Sequence, residues 1–168
     1  MSEENQDNIT NQEEKNIEAQ GLPVTIHAQY VKDVSFENPN APDSLRGGTT
    51  PPATNIQINM DARELKDDNV KGLYEVVLTL KADAVRGDDT LFIAEIFYGV
   101  TVQVSEQVDE DKIHPLLLIE IPKFAFPFVR KIVRDLVLEG GFALLYIAPV
   151  DFHALYMKRF ANKGSEAA

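Results

Sequence analysis

Residues 90–104 read Thr90-Leu-Phe-Ile-Ala-Glu-Ile-Phe-Tyr-Gly-Val-Thr-Val-Gln-Val104. In an extended chain Leu91, Ile93 and Phe97 fall on one side. Phe92, Ala94, Ile96, Tyr98, Val100, Val102 and Val104 fall on the other. A strand apolar on both faces is one that is covered on both sides. Just upstream, Arg86-Gly87-Asp88-Asp89 is a hairpin turn, and the stretch before it, Gly72 to Val85, alternates through Tyr74, Val76, Leu78 and Leu80. The two stretches form an antiparallel pair.

Working outward, Ile56 to Leu65 alternates through Ile56, Ile58 and Met60. Val24 to Glu37 alternates too, with Val24, Ile26, Ala28, Tyr30, Lys32, Val34 and Phe36 at even positions and Thr25, His27, Gln29, Val31, Asp33, Ser35 and Glu37 at odd ones. Period two makes each a strand with one apolar and one polar face, so Asp33 and Glu37 project from the same face. Between these strands, residues 38–53 hold four prolines and two glycines and form a long irregular crossover. Four strands in meander order, with that crossover after the first, predict an antiparallel sheet.

Beyond residue 104 the period changes. Asp109-Glu110-Asp111 places negative charge where a helix N-terminus favours it, and Pro115 or Pro122 suits a first turn. Phe128, Val129, Ile132, Val133, Leu136 and Val137 follow three-and-four spacing, and Gly140-Gly141 ends that helix. Phe142 to Ala148 is a short apolar extended stretch, and Asp151 is placed to cap a last helix carrying Phe152, Leu155, Tyr156 and Phe160. Strands followed by helices define an α+β fold. The expected organisation is a disordered acidic tail over 1–21, one domain over 22–161 and a short flexible tail over 162–168.

Composition excludes several functions. None of the 168 residues is cysteine, so disulfides, thiolate metal sites and a cysteine nucleophile are ruled out. No apolar run approaches the roughly 18 residues of a membrane span, and the acidic start resembles no signal peptide, so a cytoplasmic protein is expected. The net charge of −11 disfavours nucleic acid and favours a cationic partner. Residues 1–20 carry a net −5, residues 21–119 a net −8 and residues 120–168 a net +2.

His27, His114 and His153 have no metal-ligand spacing, no Gly-x-Ser-x-Gly elbow exists, and neither glycine pair has the lysine of a phosphate loop. No catalysis, metal or cofactor is expected. What needs explaining is surplus apolar sheet surface. Four strands offer one face to their own helices, so the second apolar face of the last strand is expected to meet another subunit or a client.

Tyr30-Val-Lys-Asp-Val-Ser-Phe-Glu-Asn-Pro-Asn-Ala-Pro42, Tyr74-Glu-Val-Val-Leu, Phe126-Pro-Phe-Val-Arg130 and Ala148-Pro-Val-Asp-Phe-His-Ala-Leu-Tyr-Met157 resemble, in order and separation, blocks of the SecB family of protein-export chaperones. The resemblance spans about residues 22–160. It implies a homotetramer, a dimer of dimers, that holds precursor proteins unfolded and delivers them to the translocation motor SecA. It further implies that Asp33, Glu37, Ile93 and Glu95 bind the basic, zinc-carrying C-terminal tail of the motor, the zinc belonging to that partner. It places Tyr30 and Tyr156 near the client groove, and Phe92, Ala94, Ile96 and Tyr98 at positions that affect assembly. The alternative is a non-catalytic oligomeric adaptor that binds one folded partner through an acidic sheet face.

Overall fold

The computed structural model describes residues 21–161. The expected tails over 1–21 and 162–168 lie outside them, apart from Gly21. Four strands, β1 (Val24–Glu37), β2 (Ala53–Glu64), β3 (Leu73–Arg86) and β4 (Asp89–Val104), form one antiparallel sheet in the order β1-β4-β3-β2. Strands β2, β3 and β4 are the meander. The crossover carries the chain from β1, beside β4, to β2 on the far edge. The two-residue turn of the β3–β4 hairpin starts with Gly87 at φ 60°, a backbone that glycine adopts without steric cost. Arg86 staples the crossover to this end of the sheet: its Nε donates to the Thr50 carbonyl at 3.1 Å and its Nη1 to the Arg46 carbonyl at 3.2 Å.

A long helical stretch then crosses one face of the sheet. It starts as α1 (Glu110–Pro115), widens into a π-helical turn over Leu116–Glu120 and continues as α2 (Ile121–Glu139). The helix therefore begins a turn earlier than either proline signal indicates. Pro122 cannot donate a backbone hydrogen bond and its ring crowds the preceding turn, and the wide turn stands just where that crowding falls. The chain leaves α2 through Gly141 at φ 88°. Residues 142–150 form no strand and run as an irregular segment. The last helix, α3 (Phe152–Phe160), has the expected cap: the Asp151 carboxylate accepts from the Ala154 N–H at 2.9 Å.

The core lies between the inner sheet face and α2. Val76, Leu78, Leu80 and Ala82 of β3 and Ala94, Ile96, Val100 and Val102 of β4 are buried under Ile121, Val129, Val133 and Val137. This bears on the positions assigned to assembly. Phe92, Ala94, Ile96 and Tyr98 are buried within their own chain, Ala94 and Ile96 completely. Their side chains pack in the chain's own core, and Tyr98 stacks beneath the exposed Phe128. The other face of β4 is the less covered one, with Ile93 and Phe97 half-buried.

Candidate functional site

Cross-strand partners in an antiparallel sheet share a face, so register locates each side chain. In β1, Asp33 pairs with Phe97, Ser35 with Glu95 and Glu37 with Ile93. Asp33, Glu37, Ile93 and Glu95 therefore stand together on the outer face, away from the helices. On β3, Asp83 pairs with Ile93 and Lys81 with Glu95. Asp83, which the sequence reading passed over, thus adds a fourth carboxylate around Ile93 and Phe97. Its signal was available, because in Lys81-Ala-Asp83 it occupies the polar phase of a well-marked strand.

The strict alternation read for β1 does not hold along its length. The register slips between Ile26 and Ala28 and again between Val31 and Asp33, leaving His27 and Lys32 as inserted residues. Each insertion reverses which parity faces the core. Val24 and Ile26 face inward, Ala28 and Tyr30 outward, and Val34 and Phe36 inward again. Tyr30 consequently lies on the same face as Asp33. Tyr156 lies on α3, its hydroxyl 2.8 Å from His114 Nδ1, on the helix side of the sheet. The two tyrosines assigned to a client groove do not meet within one chain.

Tyr30 belongs instead to a polar cluster around Glu75, which is 4% exposed. Tyr30 Oη donates to Glu75 Oε1 at 2.6 Å, Arg63 Nε donates to Oε2 at 2.6 Å, and Lys32 Nζ lies 3.0 Å from Oε1. Burial alone pushes this carboxyl up, but the hydrogen bonds from Tyr30, Arg63 and Lys32 outweigh it and hold the pKa at about 2. The Tyr30 phenol is raised, first by burial and then by its bond to Glu75, and stays a donor. Because the folded-state value lies below the ordinary 4.5, Glu75 stabilises the fold above that value, and the contribution is lost as pH falls toward about 2. In denaturant titrations at about pH 6 and about pH 3, the wild type is expected to lose roughly 1–3 kcal/mol more between the two conditions than Glu75→Gln does.

A second surface lies on the inner side, at the β2 edge. Ile56 and Ile58 project from the inner face of β2, and Ile147, Pro149, Val150 and Leu155 close an apolar groove of about 470 Å³ over them. Just before Ile147 in the chain, Leu144 is 56% exposed and Tyr146 81% exposed. Arg159 of α3 donates to the Met60 carbonyl at 2.6 Å and to Asn59, fixing the helix beside the groove. Sequence reasoning came within one residue of this site at Tyr156. The irregular segment that builds its wall carries no periodic signal.

Among the described residues, no group of three or more His, Cys, Asp or Glu is placed to hold a metal ion, and no helix is long and apolar enough to cross a membrane. A sheet acidic on one face, with an apolar groove on the other side, defines a protein built to bind other chains. The family model described as preprotein translocase subunit SecB matches residues 17–163. The protein-export protein SecB of Rhodospirillum centenum is 39% identical over 165 residues, covering 98% of this chain and 96% of that relative. The protein of the same name from Caulobacter sp. is 44% identical over 139 residues, covering 83% and 82%. Among solved structures, a SecB-like chaperone from Mycobacterium tuberculosis, bound to a peptide from an antitoxin, shares the fold with a TM-score of 0.61 at 10% identity, covering 76% of this chain and 91% of that one. The chain belongs to the SecB family of protein-export chaperones.

Proposed function

We propose that this chain is a cytoplasmic, non-catalytic holdase that keeps export precursors unfolded and hands them to the translocation motor SecA. The observation that carries the proposal is the segregation of two surfaces on opposite sides of one sheet. The apolar groove at Ile56, Ile58, Ile147 and Leu155, preceded in the chain by the exposed Leu144 and Tyr146, suits unfolded chain, which offers apolar side chains without fixed shape. Asp33, Glu37, Asp83 and Glu95 around Ile93 suit a compact cationic tail with some apolar content. Tyr156 contributes through α3, which walls the groove, whereas Tyr30 stands on the opposite face. The shared name of the relatives, protein-export protein SecB, favours this reading over an adaptor for one folded partner.

Refolding separates the two readings. The wild type is expected to slow the refolding of several unrelated, denatured proteins at stoichiometric concentration. An adaptor leaves those rates unchanged, and that result would reject the holdase.

Assembly as a homotetramer, a dimer of dimers, is part of the same reading. Its support is an apolar strip beside α2: Phe124 and Phe128 are exposed, Phe128 stacks on Tyr98, and Val31 and Val34 of β1 stand exposed alongside. Four chains of 18.8 kDa give about 75 kDa by light scattering. Phe128→Asp is expected to lower that mass at micromolar concentration while leaving the far-ultraviolet spectrum unchanged, because Phe128 is 44% exposed in the single chain.

A further inference from the structure

Strand β1 lies at an edge of the sheet, and apolar burial pins it mainly near its ends. Val24 is buried and Ile26 packs on the core at one end, and at the other Phe36 stacks on Phe92 with ring centroids 6.0 Å apart. Between these anchors the inward-facing Val31 and Val34 are 44% and 42% exposed. Register is strongly specified where one face is buried and weakly where it is not. Within the single chain the middle of β1 is of the weak kind, and that is where the inserted Lys32 sits.

The inserted residue decides where the acidic side chains go. Tyr30 and Asp33 differ in parity, and both face outward only because Lys32 is extra. Moving the insertion toward the end of the strand would turn Asp33 and Ser35 to the inner face. Glu75 grips this point and its N-terminal flank, accepting from Lys32 Nζ on the inserted residue itself and from Tyr30 Oη two residues before it. Arg63 on β2 holds the second oxygen of the same carboxylate. Thr101 Oγ1 lies 3.3 Å from Tyr30 Oη, and the bare Gly99 makes room for the ring, which a Cβ at that position would strike.

We infer that the Tyr30–Glu75 cluster is the positioning device of the acidic face: it locks the bulge at Lys32 and thereby sets Asp33, Ser35 and Glu37 outward. The part that concerns tail binding rests on the reading of that face as the docking site. Tyr30 and Glu75 act here through Asp33 and Glu37. Tyr30→Phe is the informative variant, because it keeps the ring over Gly99 and changes no charge, so lost long-range attraction does not explain its effect.

Two readouts test the inference. The first is amide hydrogen exchange in the full-length protein. In Tyr30→Phe, the amides of residues 31–35 are expected to exchange at least about tenfold faster than in wild type, with those of β3 unchanged, because local opening of the strand middle becomes easier. Equal rates at residues 31–35 would overturn the inference, whatever the face binds. The second is calorimetry with a zinc-loaded peptide of the motor's C-terminal tail. Tyr30→Phe is expected to bind it at least about threefold more weakly, and to cost clearly less once Asp33→Asn is present, since the two share Asp33. Loss that multiplies across the two substitutions would overturn the coupling. If Glu95→Lys and Asp33→Lys weaken the peptide while Tyr30→Phe does not, the positioning role fails and the docking face stands. If none of the three weakens it, the docking face fails, and exchange alone decides the positioning role.

Discussion

Glu95→Lys and Asp33→Lys are each expected to bind the motor's zinc-loaded tail peptide at least about tenfold more weakly than wild type, a loss of about 1.4 kcal/mol. Exposed ion pairs are individually worth roughly 0.2–1 kcal/mol, so a single neutralised pair does not reach that figure. Reversal does, because it removes an attraction and places a cation among the remaining acids. Asp33 and Glu95 stand on neighbouring strands, with Ser35 opposite Glu95 and Asp83 one strand further on. A lysine at either site therefore repels the same tail that its neighbours attract. Titration calorimetry at low and high salt measures the loss, and the wild-type affinity itself is expected to fall as salt screens the face. Binding as tight as wild type in either variant would remove the face from the mechanism.

The other large effect separates the two sides of β4. Ile96→Asp is expected to unfold the chain, at a cost of at least about 4 kcal/mol, because Ile96 is fully buried in its own core and an unpaired carboxylate there has no partner. Ile93→Asp, three residues away on the outer face, is expected to stay folded and assembled, with a stability loss of about 1 kcal/mol or less. Thermal unfolding followed by circular dichroism compares them. A folded, cooperative Ile96→Asp variant that merely dissociates into smaller oligomers would show that this position contacts a neighbour and not the chain's own core.

That contrast marks where the sequence is legible. The four strands, the helical period from Phe128 to Val137 and the Asp151 cap were readable because each repeats a local rule over many residues or satisfies a defined hydrogen bond. Which face of β4 the helix covers was not readable. Both faces are apolar, and the choice is made by α2 some thirty residues later. Strand β1 failed in a different way. Its residues alternate from Val24 to Glu37 except at Val31-Lys32, where an apolar residue takes the polar phase and a lysine the apolar one; that break marks the second insertion, and nothing local marks His27 as the first. The bulges answer to partners far along the chain, Glu75 above all. Asp33 and Glu37 lie on the same side of both insertions and keep the relative phase that alternation gives them, whereas Tyr30 and Asp33 lie on opposite sides of one and do not.

Two functions on two surfaces form the central claim, and one titration addresses it. The assembled protein is loaded to saturation with an unfolded precursor, and the zinc-loaded tail peptide is then titrated in. The expected result is an affinity within about twofold of that for the empty protein, with the precursor still bound, since surfaces on opposite sides of a sheet bind without mutual exclusion. Release of the precursor in step with peptide binding, or a tail affinity lost on loading, would show that both ligands compete for one surface and would contradict the claim.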